Sequence, residues 1–155
     1  MDLIINKMET LSKQMNNNST TNDLGNKTLM NDLLQKILVV DDDEATLFGH
    51  EEVFTDLGYY VKTANSLKDA LELIDNNTFS IIVTDLNLSN SVEYEGFTII
   101  EKAKKKSKTN IIFVVSAFSD DCIKEQAFNL GADYFIEKPI SSERLKLFFE
   151  EKGIS

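Results

Sequence analysis

The chain has 155 residues, 42% of them hydrophobic, and 26 acidic against 16 basic side chains give a formal net charge of −10. This length fits one domain, and the acidic balance argues against a nucleic-acid-binding surface, which needs a concentrated basic face. The single cysteine, Cys122, has no partner for an internal disulfide, and no apolar run approaches the roughly 20 residues that span a bilayer. We therefore expect a cytoplasmic protein that binds neither nucleic acid nor membrane.

The first 35 residues differ in composition from the rest of the chain. They are rich in Asn, Thr and Lys, and the polar run at residues 16–22 cannot bury much apolar surface. Two short amphipathic pieces, residues 3–15 and 29–34, are marginal helices on their own. The sequence predicts a mobile polar N-terminal arm over residues 1–35, in front of a domain that covers residues 36–155.

From Lys36 onward, apolar runs alternate with amphipathic segments, which is typical of βαβ units around a parallel sheet. The first, third and fourth runs are apolar without alternation, as in strands covered on both faces. Four helices are predicted between the strands and a fifth after the last, which indicates a doubly wound α/β fold. The predicted strands are Lys36–Asp41, Tyr59–Thr63, Phe79–Asp85, Asn110–Ser116 and Asp133–Glu137.

Helix boundaries are marked by capping residues. Ser66 precedes the second amphipathic segment, with Asp69 three residues later, a spacing that resembles a capping box. Gly58 and Gly131 each follow an amphipathic stretch, where a left-handed residue commonly ends a helix.

Polar residues follow four of the five predicted strands. In open α/β sheets, ligands bind beyond the carboxyl ends of the strands, so these residues are expected to share one edge. Each alone is an ordinary turn or cap residue, but their coincidence at one edge points to phosphate or a hard cation. They are Asp41, Asp42, Asp43 and Glu44 after the first strand, Asp85 and Asn87 after the third, Ser116 ending the fourth, and Lys138 after the fifth.

The chemistry of this set is coherent. Neighbouring carboxylates repel one another unless a cation neutralises them, and Mg²⁺ suits such an oxygen-rich site. Asp85 is then a candidate carboxylate nucleophile that forms an aspartyl phosphate. Lys138 and the Ser116 hydroxyl are candidates to stabilise the charge of the transferring group.

Five motifs in order resemble those of bacterial two-component response-regulator receiver domains of the chemotaxis-regulator type. The resemblance covers residues 36 to 151, and the five motifs together are far more specific than any one. It implies a flavodoxin-like sheet of order 2-1-3-4-5 with five helices. The motifs are Lys36-Ile-Leu-Val-Val-Asp-Asp-Asp, Asp85-Leu-Asn-Leu, Val114-Val-Ser-Ala, Gly131-Ala-Asp-Tyr-Phe and Glu137-Lys-Pro.

The resemblance also assigns roles. It implies that Asp85 is the phosphoacceptor and that Phe135 is a switch aromatic. It implies that the Lys138-Pro139 bond is cis, which proline permits at low cost. Mg²⁺ is expected on Asp41, Asp42, Asp85 and the Asn87 carbonyl, and phosphate contacts are expected from Ser116 and Lys138.

The sequence departs from the family pattern after Asp85. Receivers usually have a proline four residues on and a glycine eight residues on, whereas here Ser89 stands at the first position and Gly96 arrives eleven residues on. The loop Ser89–Glu95 is about three residues longer, which leaves its conformation and kinase docking at this edge open.

Three other features favour structural interpretations. His50 falls with Leu47 and Phe54 on one side of the first helix, so we expect a packed structural residue. Cys122 is expected to be a small apolar residue or a surface thiol. The lysine run at residues 102–108 is most simply the solvated end of the third helix, although a basic docking patch stays open.

The leading functional hypothesis is a stand-alone receiver, not an enzyme with a separate substrate. It takes a phosphoryl group from a histidine kinase or histidine phosphotransfer protein and signals by contact with an unidentified downstream protein. The alternative is a Mg²⁺-dependent phosphotransferase of the haloacid-dehalogenase type, with Asp41 and Asp43 as nucleophile and acid, but it would leave Asp85 without a role. A phosphorylation-independent interaction module is a third hypothesis.

Overall fold

The computed structural model describes residues 5–10, 34–90 and 92–154. Most of the predicted arm, residues 1–35, therefore lies outside the described residues. Within the arm, residues 5–10 are helical and their side chains are exposed, in agreement with the first of the two amphipathic pieces. In the described part of the chain, no helix has the length and apolar character needed to cross a membrane.

Five parallel strands form one sheet in the order β2-β1-β3-β4-β5, which confirms the predicted topology. Four of the predicted strands extended one or two residues beyond the observed ones, and the predicted second strand was displaced by one residue. Asp41 and Asp85 lie just beyond the ladders, yet their amides still donate to neighbouring strand carbonyls, at 3.2 Å and 2.9 Å respectively. The strands are β1 Lys36–Val40, β2 Tyr60–Ala64, β3 Ile81–Thr84, β4 Ile111–Ser116 and β5 Tyr134–Glu137.

Five helices of the domain connect and cover these strands. Four of them begin at a side-chain cap, because an Asp or Ser oxygen accepts a backbone N–H of the first turn. Gly58 and Gly131 have φ of 92° and 118°, as predicted for residues that end a helix in the left-handed region. The helices are α1 Glu44–Asp56, α2 Leu67–Asn76, α3 Glu95–Lys106, α4 Asp121–Leu130 and α5 Ser142–Glu151.

The core lies on both faces of the sheet. Alternate residues of β1 enter opposite layers: Leu38 packs with the apolar residues of α2, α3 and α4, and Val39 packs with those of α1 and α5. The second layer contains a group of packed aromatic rings, with the ring centroids of Phe113 and Phe149 4.4 Å apart. Residues of β1, β3 and β4 are buried on both sides, which explains their lack of alternation.

The lysines at the end of α3 are partly or largely exposed, as expected for a solvated helix end, but three of them also bond to neighbouring elements. The Lys106 ammonium donates to carbonyl oxygens at the end of α2, including Asn77 at 2.9 Å. Lys102 pairs with Asp75 at 2.9 Å. Lys104 reaches Asp133 at 3.3 Å. These lysines tie α3 to α2 and to the start of β5.

The strand order determines where a site forms. The chain leaves β1 toward β2 on one side and returns to β3 on the other, so β1 and β3 are adjacent but their connections diverge. In doubly wound sheets, the crevice at this reversal is the ligand site. The ends of β1 and β3 therefore bring Asp41 and Asp85 together.

Candidate functional site

Three aspartates meet at the carboxyl ends of β1 and β3. Carboxylate oxygens of Asp41, Asp42 and Asp85 all lie within 4.8 Å of one another. Asp41 and Asp85 are only 4% and 8% exposed, whereas Asp42 faces solvent. Partial burial raises the pKa of Asp42, and the neighbouring Asp41 charge raises it further. The arrangement is an acidic pocket with one open side.

Lys138 closes the other side of this pocket. Its Nζ lies 2.7 Å from Asp85 Oδ2 and 2.9 Å from Asp41 Oδ2, so one ammonium bridges both buried carboxylates. Burial lowers the pKa of Lys138, but hydrogen bonds and charges from Asp85 and Asp41 outweigh it and leave the pKa raised. The Lys138-Pro139 bond is cis, as the family resemblance implied.

Backbone amides hold the two buried carboxylates in place. The Asp43 amide donates to Asp41 Oδ1 at 2.9 Å, and the Asn87 amide donates to Asp85 Oδ1 at 3.2 Å. Each carboxylate therefore uses one oxygen for a backbone donor and the other for Lys138. This geometry fixes the orientation of the Asp85 side chain before any ligand arrives.

Ser116 is the last residue of β4 and is fully buried. Its carbonyl accepts the Lys138 amide at 2.9 Å, which joins β4 to the lysine of the site. Its hydroxyl oxygen accepts the Phe118 amide at 3.0 Å. Ser116 is thus placed at the same edge as Lys138, with its side chain engaged by the following loop.

Phe135 lies on β5, opposite Val114 of β4. Its ring is half-buried against the layer of α2, α3 and α4, and Phe128 of α4 lies 6.5 Å away between ring centroids. The Lys124 ammonium sits 5.8 Å from the centre of the ring. The aromatic is therefore neither fully inside nor fully exposed.

The long loop after β3 keeps its glycine against the site. Apart from residue 91, which lies outside the described residues, it runs from Ser89 to Glu95, and the hydroxyl of Ser89 donates to the Glu95 carboxylate. Gly96, the second residue of α3, lies directly over the backbone of Asp85 and Leu86. The extra residues of the loop precede Gly96, so this glycine is still placed against the Asp85 backbone.

Sequence reasoning missed two aromatic residues at this edge, Tyr94 and Phe118. Their ring centroids are 5.7 Å apart with an interplanar angle of 66°. The only available signal was position, because Tyr94 stands two residues before Gly96 and Phe118 two residues after Ser116. Contact between two loops is a tertiary feature that neither position reveals alone.

The residues interpreted as structural behave as expected. His50 is 4% exposed, its Nδ1 lies 2.7 Å from the Ser142 Oγ, and its ring packs edge-on near Phe54. Cys122 is exposed in the first turn of α4 and is a surface thiol.

Comparison with known proteins decides the family. A family model described as the response regulator receiver domain matches residues 37–150. The chain belongs to this family. Receivers are phosphoacceptor signalling domains, so the match assigns the chain to two-component signalling. The dehalogenase-type alternative is not supported, because the matching family is one of signalling domains rather than phosphotransferases.

Relatives at moderate identity share the same domain. A cyclic di-GMP phosphodiesterase of Thermotoga maritima is 31% identical over 111 residues, which are 72% of this chain and 29% of that protein. Response regulator RR06 of Streptococcus pneumoniae is 31% identical over 105 residues, 68% of this chain and 46% of that protein. The chain thus spans less than half the length of either relative.

Solved receiver structures match over almost their full length. The CheY-like receiver domain protein of Methanospirillum hungatei has a TM-score of 0.69 at 30% identity, covering 77% of this chain and 93% of that one. The BeF3-activated DrrB receiver domain has a TM-score of 0.67 at 30% identity, covering 77% and 97%.

Proposed function

We propose that this receiver accepts a phosphoryl group on Asp85 and passes the signal to a downstream protein by direct contact. The donor is a histidine kinase or a histidine phosphotransfer protein, and the exchange takes place in the cytoplasm, in keeping with the exposed free thiol of Cys122. The observation that carries the proposal is the bridge from Lys138 to Asp85 and Asp41 at the reversal of strand order.

The residues fit a bound Mg²⁺. Three carboxylates offer oxygens within 4.8 Å of one another, and the exposed Asp42 leaves a path for entry. Hard oxygen donors and room for several waters are what Mg²⁺ requires. We propose that Asp41, Asp42, Asp85 and the Asn87 carbonyl hold it. When bound, Mg²⁺ supplies positive charge that offsets the oxygens of the transferring phosphoryl group.

The transfer itself uses groups of this chain. An Asp85 carboxylate oxygen attacks phosphorus, the new oxygen–phosphorus bond forms, and the phosphorus–nitrogen bond of the donor histidine breaks with its electron pair staying on the imidazole. The Lys138 ammonium, already 2.7 Å from Asp85, neutralises charge on the transferred group. The Ser116 hydroxyl donates to one of its oxygens. The chain thereby assists its own modification and has no separate substrate.

Intact-mass measurement after incubation with acetyl phosphate and Mg²⁺ tests the proposal. The wild-type protein gains one phosphoryl group, and Asp85→Asn gains none. Asp121→Asn is the matched control, because it changes an exposed aspartate outside the cluster and should be modified like the wild type. A mass gain that persists in Asp85→Asn would refute Asp85 as the acceptor and direct attention to Asp41.

A second variant tests the metal ligands. Asp42→Ala should lose Mg²⁺ binding in a calorimetric titration while keeping its fold, because the change removes like-charge repulsion together with the ligand. Asp121→Ala again serves as control. Unchanged Mg²⁺ affinity in Asp42→Ala would contradict this ligand set.

A further inference from the structure

Two loops at the edge of the site are joined by an aromatic contact. The ring of Tyr94, at the end of the long β3–α3 loop, meets the ring of Phe118 in the β4–α4 loop at 5.7 Å between centroids. Tyr94 also packs against Phe97 of α3 at 5.5 Å, with the same interplanar angle of 66°. Such edge-to-face geometry is the favourable arrangement of aromatic pairs.

Phe118 is connected to Ser116 through its backbone. The Phe118 amide donates to the Ser116 hydroxyl oxygen at 3.0 Å, and the Ser116 side chain is fully buried. The position of the Phe118 backbone therefore bears on the position of that hydroxyl. In contrast, the Phe118 ring is about half exposed and relies on Tyr94 as its aromatic neighbour among the described residues.

We infer that Tyr94 is a positioning residue for Ser116, acting through Phe118. The inference rests on the proposed function, in which the Ser116 hydroxyl turns toward a phosphoryl group on Asp85. That turn changes the hydrogen bond from the Phe118 amide, so the β4–α4 loop must adjust. The contact between Tyr94 and Phe118 stabilises the loop as it stands before modification and thereby opposes the adjustment.

The anchoring of Tyr94 makes it suited to this role. Gly96, two residues after Tyr94, is fixed to the site, because its amide donates to the Leu86 carbonyl at 2.9 Å. Tyr94 occupies the N-cap of α3 but makes no side-chain cap hydrogen bond, so its ring is used for packing and not for capping. Removing the Tyr94 ring therefore does not cost α3 a capping hydrogen bond.

The test is the affinity of the full chain for beryllofluoride in the presence of Mg²⁺, followed by NMR. Removing a contact present only in the unmodified arrangement shifts the population toward the other one. From the usual strength of an aromatic pair, Tyr94→Ala should bind beryllofluoride about 2- to 10-fold more tightly. Tyr94→Phe keeps the ring and should match the wild type. Without beryllofluoride, Tyr94→Ala should also shift the amide resonance of Phe118.

A double-mutant cycle separates coupling from general loosening. Phe118→Ala removes a half-exposed ring and should tighten binding like Tyr94→Ala, and the double variant should bind no more tightly than either single variant. Additive effects, or unchanged affinity in both single variants, would overturn the inference. A change in Tyr94→Phe as large as in Tyr94→Ala would do the same. Failure of the wild type to bind beryllofluoride would instead count against the proposed function.

Discussion

Gly96 lies against the backbone of Asp85. A Cβ atom added to Gly96 would be 2.4 Å from the Asp85 carbonyl oxygen and 2.6 Å from the Leu86 Cα, closer than such atoms approach in proteins. The start of α3 is therefore seated directly on the proposed phosphoacceptor, although ten residues separate the two along the chain. Only glycine permits this approach, because backbone atoms on both sides cannot rotate away.

Gly96→Ala should accordingly damage both stability and modification. Relieving the overlap requires a shift of α3 or of the Asp85 backbone, and overpacking of this kind typically costs about 1–3 kcal/mol in the free energy of unfolding. Chemical denaturation measures the stability, and the rate of mass gain with acetyl phosphate measures the modification.

Gly153→Ala is the matched control for Gly96. Its added Cβ meets nothing within 4 Å, but its φ of 68° is strained for alanine, with a cost of about 1–2 kcal/mol. This variant should lose stability while its modification rate stays at the wild-type value. Equal modification rates for Gly96→Ala and wild type would show that the contact with Asp85 is not needed for the chemistry.

Part of the fold and of the site could be predicted from the sequence alone. The strands and helices followed from apolar periodicity and capping residues, which are local features that a sequence contains. The meeting of Asp41, Asp85 and Lys138 followed because strand ends share an edge in a parallel sheet. Such inferences work wherever topology alone determines proximity.

Contacts between loops could not be predicted from the sequence. The pairing of Tyr94 with Phe118 depends on how a lengthened loop folds back, which no periodicity encodes. The role of Lys106 at the end of α2 was likewise hidden, because a lysine run predicts a solvated surface until a neighbouring helix end is placed beside it. Side-chain partners across elements require the three-dimensional arrangement.

Lys138 should stabilise the protein when Mg²⁺ is absent. Lys138→Met leaves the buried carboxylates of Asp41 and Asp85 without their ammonium partner. Removing one member of a fully buried pair costs roughly 3–5 kcal/mol, and because Lys138 retains some exposure we expect about 2 kcal/mol. Adding Mg²⁺ should narrow this difference in unfolding free energy, since a cation restores positive charge at the carboxylates.

Lys124→Met provides the comparison for Lys138. Its ammonium lies 2.7 Å from Glu137, as short as the contact of Lys138 with Asp85, but the Glu137 side chain is largely exposed. Exposed pairs contribute about 0–1 kcal/mol, so this variant should unfold almost like the wild type with or without Mg²⁺. Equal losses of unfolding free energy in the two lysine variants would contradict the importance of burial at the site.

His50 should make stability depend on pH. Burial lowers the pKa of His50 because it penalises the charged imidazolium; Asp41 opposes this effect and Lys138 adds to it. Above the unfolded-state pKa of about 6.5 the imidazole is neutral in both states, so its stabilising contribution is complete. As pH falls below that value, the unfolded chain takes up the proton first. The free energy of unfolding then declines by at most about 1.4 kcal/mol per pH unit, until the folded-state pKa is reached.

Denaturation curves between pH 7.5 and 5.5 check the histidine prediction. His50→Gln removes the titrating group while keeping a side chain able to bond with Ser142, so its stability should vary less over this range than that of the wild type. Parallel curves for the two proteins would mean that His50 carries no proton linkage.

The predicted arm should be dispensable for modification. The first strand begins at Lys36, and the Gln35 carbonyl accepts the Tyr60 amide at 2.9 Å, so a shortened protein beginning at Leu34 keeps this contact. It should gain phosphate from acetyl phosphate at a rate similar to that of the full chain, because the polar composition of residues 1–33 cannot form an independent core. A lost or strongly slowed mass gain would reveal a role for the arm in the domain.

The structural effect of a phosphoryl group on Asp85 should be transmitted through Ser116 to Phe135. A phosphoryl group brings new acceptor oxygens, so the buried Ser116 hydroxyl gains a hydrogen bond by turning toward it. Phe135 lies on the neighbouring strand in a half-buried position, so space vacated near the end of β4 allows its ring to move inward. The two arrangements need differ by only a few kcal/mol for modification to change their populations.

Amide NMR shifts on adding beryllofluoride and Mg²⁺ measure this transmission. They should concentrate around Asp85 and along residues 116–140. Ser116→Ala removes the hydroxyl but keeps the strand, so it should weaken the response near Phe135 more than the response around Asp85. Phe128→Ala is a useful companion, since it removes the α4 ring beside Phe135 without touching the site. It should change the shifts near Phe135 and leave those at Asp85 intact. If the distant shifts in Ser116→Ala equal those of the wild type, the signal leaves Asp85 by another route.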